Sequence, residues 1–120
     1  MNKEMVRENK ILELTLEFSL QIIAYCELLE ENRKFVIARQ LLKSGTSIGA
    51  NAREAQNAES KSDFIHKFKI AAKEAEETEY WLILCEKSAT YPRFAESLWA
   101  NIKSIQKIIN SIIAKTKKNN

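Results

Sequence analysis

From about residue 7 onward, apolar residues recur at steps of three and four. Ile11, Phe18, Ile22, Tyr25 and Leu29 form one such series, and Leu12, Leu16, Leu20 and Ile23 form a second stripe beside it. The spacing predicts a helix over 7–31 with an apolar surface so wide that it needs cover on more than one side. Phe64, Phe68, Ala71, Ala75, Thr78, Leu82 and Cys85 keep the same rhythm and predict a helix over 62–87. Ser60 or Ser62 is placed to cap it, and Asp63 suits its positive end. Leu98, Ile102, Ile105, Ile109 and Ile112 predict another over 93–115, with Pro92 expected in its first turn and a frayed basic tail over 116–120.

The segment 34–57 is harder, because it contains the only two glycines, Gly45 and Gly49. On a helical wheel at 100° per residue it sorts into four faces. Ile37, Leu41, Ile48 and Ala55 form a seam. Ala38, Leu42, Gly45, Gly49 and Ala52 lie on one flank, and Ser44, Ser47, Asn51 and Glu54 on the other. Arg39, Lys43 and Arg53 stand opposite the seam. A continuous helix would use the glycines to let a neighbouring helix press close, against a cost of about 1 kcal/mol each relative to alanine. The rival is a turn at "SGTSIG" whose amides cradle an anion, although it lacks the lysine-and-hydroxyl ending of a phosphate-binding loop.

At 120 residues with one proline and two glycines, the chain is expected to be one all-α domain, an antiparallel up-down four-helix bundle. The charged start "MNKEMVRENK" lacks the core of a secretory signal, and no apolar run reaches the ~18 residues of a membrane span. Cys26 and Cys85 fall within helical patterns and read as small buried hydrophobes of a cytoplasmic protein. Charge alternates along the chain. Residues 1–31 carry three bases against seven glutamates, a net −4, and residues 32–53 carry five bases and no acid, a net +5. Residues 54–86 return to −4, and residues 87–120 reach +6, leaving +3 for the whole.

Candidate chemistry is sparse. Glu54, Glu74 and Glu77, with Asp63 and His66, fall short of a di-metal carboxylate set, which takes a Glu-x-x-His motif from each of two helices. No metal or cofactor is expected. A serine nucleophile needs a base, and His66 is the single histidine. Ser44, Ser47, Asn51 and Glu54, with Glu77, are instead expected to form an interhelical polar network that fixes register. Trp81, Trp99 and Tyr80 read as packing residues. Arg39, Lys43 and Arg53 on the second helix, with Lys103 and Lys107 on the fourth, are the candidate contacts to nucleic-acid phosphates; the bland reading is a solvated face.

"ARQLLKSGTSIGANAREA" followed by "DFIHKFKIAAKEAEETEYWLIL" resembles the four-helix bundle proteins encoded in intervening sequences of bacterial 23S ribosomal RNA genes. The marks are Ser44, Ser47, Asn51 and Glu54, then Phe64, Phe68, Glu77, Thr78 and Leu82. Ala55 departs from the glycine that many members carry after the glutamate. The resemblance implies a continuous second helix and a ring-shaped homopentamer, and it extends to the accessory protein of diversity-generating retroelements, a basic pentameric barrel that partners a reverse transcriptase and RNA. It implies no established biochemical activity. The expectation is a non-enzymatic homo-oligomer that binds RNA or a ribonucleoprotein, with a protein adaptor as the alternative.

Overall fold

The computed structural model describes the backbone of residues 3–119 and the side chains of residues 10–119. It contains four helices: α1 (Lys3–Glu31), α2 (Phe35–Ala55), α3 (Lys61–Lys87) and α4 (Glu96–Lys118). Each packs against its neighbours in the chain, and α4 closes on α1, while the diagonal pairs α1–α3 and α2–α4 do not approach within 8 Å between Cα atoms. The result is a four-helix bundle of 50 × 22 × 19 Å, and no strand occurs among the described residues.

The core is the set of seams that the 3–4 spacing marks. Ile11, Phe18, Ile22 and Leu29 of α1 meet Leu41 and Ile48 of α2, Phe68 and Leu82 of α3, and Ile102, Ile105 and Ile109 of α4, all fully buried. Ile37 is only half-buried, and Leu42 is exposed, so the apolar strip of α2 is narrower than its wheel suggests. Two threonines join the seams: Thr15 and Thr78 are buried, each with its hydroxyl donating to its own helix, to the Ile11 carbonyl and the Glu74 carbonyl at 2.7 Å. Back-bonding of this kind lets a hydroxyl enter a core without an orphaned group.

The connections are settled locally. After α1 the Lys34 amide bonds the Leu29 carbonyl at 2.8 Å and the Arg33 amide bonds the Glu30 carbonyl at 2.9 Å. That is the Schellman pairing, and it forces Arg33 to φ 63°, a left-handed conformation that usually falls to glycine. Ser60, rather than Ser62, caps α3: its hydroxyl accepts from the Asp63 amide at 3.0 Å, and the Asp63 carboxylate accepts from the Glu59 amide at 3.2 Å.

Residues 93–95 are not helical, contrary to the start expected near Pro92. α4 begins at Glu96 because the preceding backbone is held extended, with Tyr25 Oη donating to the Pro92 carbonyl at 2.7 Å and the Phe94 ring set edge-on against Tyr25 at 5.4 Å. At the other end α4 continues to Lys118, so Thr116, Lys117 and Lys118 are helical rather than part of a frayed tail. Lys115, Lys117 and Lys118 then lie where the helix dipole favours positive charge. Asn120 lies outside the described residues.

Candidate functional site

α2 carries most of the residues the sequence marks for function, and its faces are distinct. Toward α1 it runs through Gly45 and Gly49 without a break and without positive φ. A Cβ at Gly45 would stand 2.9 Å from Ile22 Cγ2, and one at Gly49 would stand 3.1 Å from Thr15 Oγ1. Both glycines therefore let α1 approach, and no anion-cradling turn exists at "SGTSIG".

Toward α3, the expected five-residue network does not assemble. Ser44 is buried, and its hydroxyl shares a 2.9 Å hydrogen bond with Thr78 Oγ1. Ser47 and Asn51 spend their donors on their own helix, on the Lys43 carbonyl at 2.7 Å and the Ser47 carbonyl at 2.9 Å. Glu54 is exposed and pairs with Lys67 at 3.4 Å. Glu77 is exposed and accepts from Trp81 Nε1 at 3.1 Å. The reason is angular: Ser44 alone of the polar row turns far enough toward the α2–α3 seam, and the others stop at its rim. The hydrogen bonds of the Ser44 hydroxyl run to Thr78 Oγ1 and, at 3.5 Å, to the Leu41 carbonyl, and neither partner is a general base.

Away from the core, α2 exposes Arg39, Lys43 and Arg53. Arg39 and Arg53 make no ion pair among the described residues. Lys43 stands near Glu74, whose carboxyl is held above the usual carboxylate range by burial and by Glu77, with Lys43 acting in the opposite direction. The α4 pair is less available than the sequence implies. Lys103 is bound to the Glu79 carboxylate, and its ammonium also sits 5.1 Å from the centre of the Trp99 ring. Gln106 donates to the same carboxylate at 3.0 Å, and these two hydrogen bonds hold Glu79 below the ordinary range. Lys107 is exposed and lines a shallow cavity of about 230 Å³ with Lys10, Ile108 and Ser111.

Both thiols are buried, and burial raises them, Cys26 to about 12. Their Cα atoms belong to helices that come no closer than 8 Å, beyond the reach of a disulfide. No group of three or more His, Cys, Asp or Glu able to hold a metal ion occurs among the described residues. None of the described helices is long and apolar enough to cross a membrane.

The apolar spacing gives no sign of one feature, an open cleft of about 660 Å³ between the end of α3 and the start of α4. Trp99, which falls beside the seam of α4 rather than in it, lines the cleft.

Comparison with known proteins agrees with this architecture. A crystal structure of a protein of unknown function from the S23 ribosomal protein family of Bacteroides thetaiotaomicron is 44% identical. It superposes with a TM-score of 0.83, over 90% of this chain and 98% of that one. No curated protein matches the chain. The family model described as 23S rRNA-intervening sequence protein matches residues 7–111. The chain therefore belongs to the 23S rRNA-intervening sequence protein family.

Proposed function

We propose that this protein is a non-enzymatic homo-oligomer that binds RNA, or an RNA within a ribonucleoprotein, through the outer face of α2. The observation that carries the reading is the exposure of Arg39 and Arg53 on that face with no acidic partner among the described residues. Unpaired guanidiniums are suited to bidentate contact with phosphate oxygens and need not break an existing ion pair first. Lys43 adds to the face at a discount, because Glu74 lies near it. On α4, Lys107 contributes with Lys10 beside it, whereas Lys103 belongs to the Glu79 contact.

Self-association is proposed from α1. Three of the four residues of its second stripe are bare in the isolated chain, with Leu16 51%, Leu20 60% and Ile23 40% exposed, while Leu12 packs against the core. Phe35, Val36 and Leu42 of α2 are exposed as well. A surface on one helix that fits a different surface on the next copy closes into a ring when the rotation allows, and the family resemblance points to five subunits. A ring would repeat the α2 face and concentrate its field.

Fluorescence anisotropy with a labelled single-stranded RNA at low salt tests the reading. Binding should weaken steeply with salt and show little sequence preference. Changing Arg39, Lys43 and Arg53 together to glutamine should lower the log–log salt slope by roughly 2, since about 0.7 counterion is released per neutralised phosphate of a single strand. Wild-type protein that binds no RNA at low salt would overturn it. The bare α1 stripe would then favour the second reading, an adaptor for another protein.

A further inference from the structure

We infer that the outer side of α4 is a second phosphate-contacting face, centred on Lys10 and Lys107, and that each subunit thereby holds two RNA segments at once. The inference rests on the RNA reading of the α2 face and adds a separate track to it. α2 and α4 are diagonal in the bundle and do not approach within 8 Å between Cα atoms. Their outer sides face opposite directions across a body 22 × 19 Å in section. A short stretch of RNA lying on Arg39 and Arg53 therefore cannot also lie on Lys107, and the α4 lysines do not extend the α2 face.

Positive charge on the α4 side is uncompensated. Lys10 and Lys107 line one cleft of about 230 Å³ with Ile108 and Ser111, and no carboxylate lines it. Neither lysine has an ion pair among the described residues, and Glu13, three residues on from Lys10, forms none with it. From residue 97 to residue 120 the chain has no Asp or Glu, so α4 has nothing of its own beside Lys107 to neutralise it. Lys118 is exposed as well. It falls within about 20° of Lys107 on the helical wheel and roughly 16 Å further along the axis. A cleft lined by one sign of charge concentrates its field on an incoming anion, and lysines of this kind contact phosphates without reading bases. The same side is not built for docking protein. Every large apolar side chain exposed among the described residues lies on α1, α2 or α3, and none on α4. The surfaces proposed for self-association therefore leave the α4 face out.

A bridging assay tests the inference. Biotinylated single-stranded RNA on beads is loaded with saturating protein at low salt, washed, and offered a second, fluorescent RNA of the same sequence. The loaded beads should capture the second RNA. Lys10→Gln, Lys107→Gln and Lys118→Gln together should leave protein retention within about threefold and reduce capture at least tenfold, with sedimentation showing the same oligomer as the unaltered protein. Protein with Arg39, Lys43 and Arg53 changed to glutamine should still bind RNA more weakly in solution, and adding the three lysine changes should remove that remainder. If the unaltered protein is not retained on the beads, the α2 reading fails and this inference fails with it. Retention without capture defeats this inference alone. So does undiminished capture by the lysine variant, because α2 faces of neighbouring subunits would then account for the bridging. Complete loss of binding in the α2 variant defeats it too, because α4 would then hold no RNA by itself.

Discussion

The two flanks of α2 are held by opposite devices. Toward α1 the helix gives up side chains, so that Gly45 and Gly49 receive Ile22 and Thr15 at distances a Cβ could not tolerate. Toward α3 it contributes a polar side chain, and Ser44 meets Thr78 hydroxyl to hydroxyl at 2.9 Å. The first contact is steric and has no slack. The second is a hydrogen bond between groups with other partners, since Thr78 also reaches the Glu74 carbonyl at 2.7 Å. Close packing thus determines how near α1 can lie, whereas the hydroxyl pair adds direction to an interface that alanines and leucines already fill.

The largest effect should follow from filling the glycine flank. Gly45→Leu places a side chain where Ile22 stands, and overpacking of this kind costs about 1–3 kcal/mol or more. Urea denaturation should show a lower midpoint. A midpoint equal to that of the unaltered protein would mean that α1 can move away freely, which erases the contrast between the flanks.

Alanine separates the two glycines. At Gly45 the new methyl would meet branch carbons of Ile22 near its backbone at 2.9 and 3.0 Å, too close to be absorbed by a terminal rotation. The clash should outweigh the gain of about 1 kcal/mol in helix propensity. At Gly49 the nearest atoms are at 3.1 and 3.2 Å, so the same gain should come closer to balance. Gly45→Ala is therefore expected to be the more destabilising by roughly 1 kcal/mol. Combining it with Ile22→Ala should cost less than the sum, because the second change removes the atoms that clash.

On the α3 flank, the losses should be smaller. Ser44→Ala leaves Thr78 bonded to Glu74, and about 1 kcal/mol or less is expected. Thr78→Val should cost more, since Ser44 is left with only the Leu41 carbonyl, at 3.5 Å. Removing both hydroxyls should cost less than the two singles together, as measured by a double-mutant cycle in urea. Full additivity would show that the pair does not interact.

These flanks also mark where the sequence could be read and where it could not. Seam positions are legible because burial follows the helical period, as Ile11, Phe18 and Ile22 show, whereas Thr15 is buried in the same row and an apolar series passes over it. The bare stripe of Leu16, Leu20 and Ile23 is legible in the same way, as apolar surface in excess of what one bundle can cover. The polar row was misread because its four members were taken as one face, although on the wheel Ser44 stands nearest the seam and Glu54 farthest from it. Ser44, Ser47, Asn51 and Glu54 share a side of α2, yet only the first is buried. Arg33 at φ 63° carries no sequence signal, because nothing distinguishes it from an arginine in an ordinary turn. The attachment of Lys103 to Glu79 joins α4 to α3, and a chain without coordinates gives no means of pairing those two charges among many.

The smallest effects concern two glutamates of α3, and their signs oppose. Glu79 is depressed by its hydrogen bonds from Lys103 and Gln106, so its contribution is present above the ordinary carboxylate range and is lost as pH falls through its lowered value. Lys103 is 46% exposed at its side chain, and screening should limit the contribution to about 0.5–1 kcal/mol. Glu74 is raised, mainly by burial and then by Glu77, so its ionisation opposes folding and the penalty appears as pH rises through that range. At neutral pH, Glu79→Gln should lower the thermal midpoint and Glu74→Gln should raise it. At a pH below both carboxylates, each variant should converge on the parent, because the charges that distinguish them are gone. Thermal melts of the three proteins at pH 7 and at an acid pH where both carboxyls are protonated would read both signs. A Glu74→Gln variant less stable than the parent at pH 7 would mean that the attraction of Lys43 outweighs burial, and that α2 is held on its α3 flank by charge as well as by the hydroxyl pair.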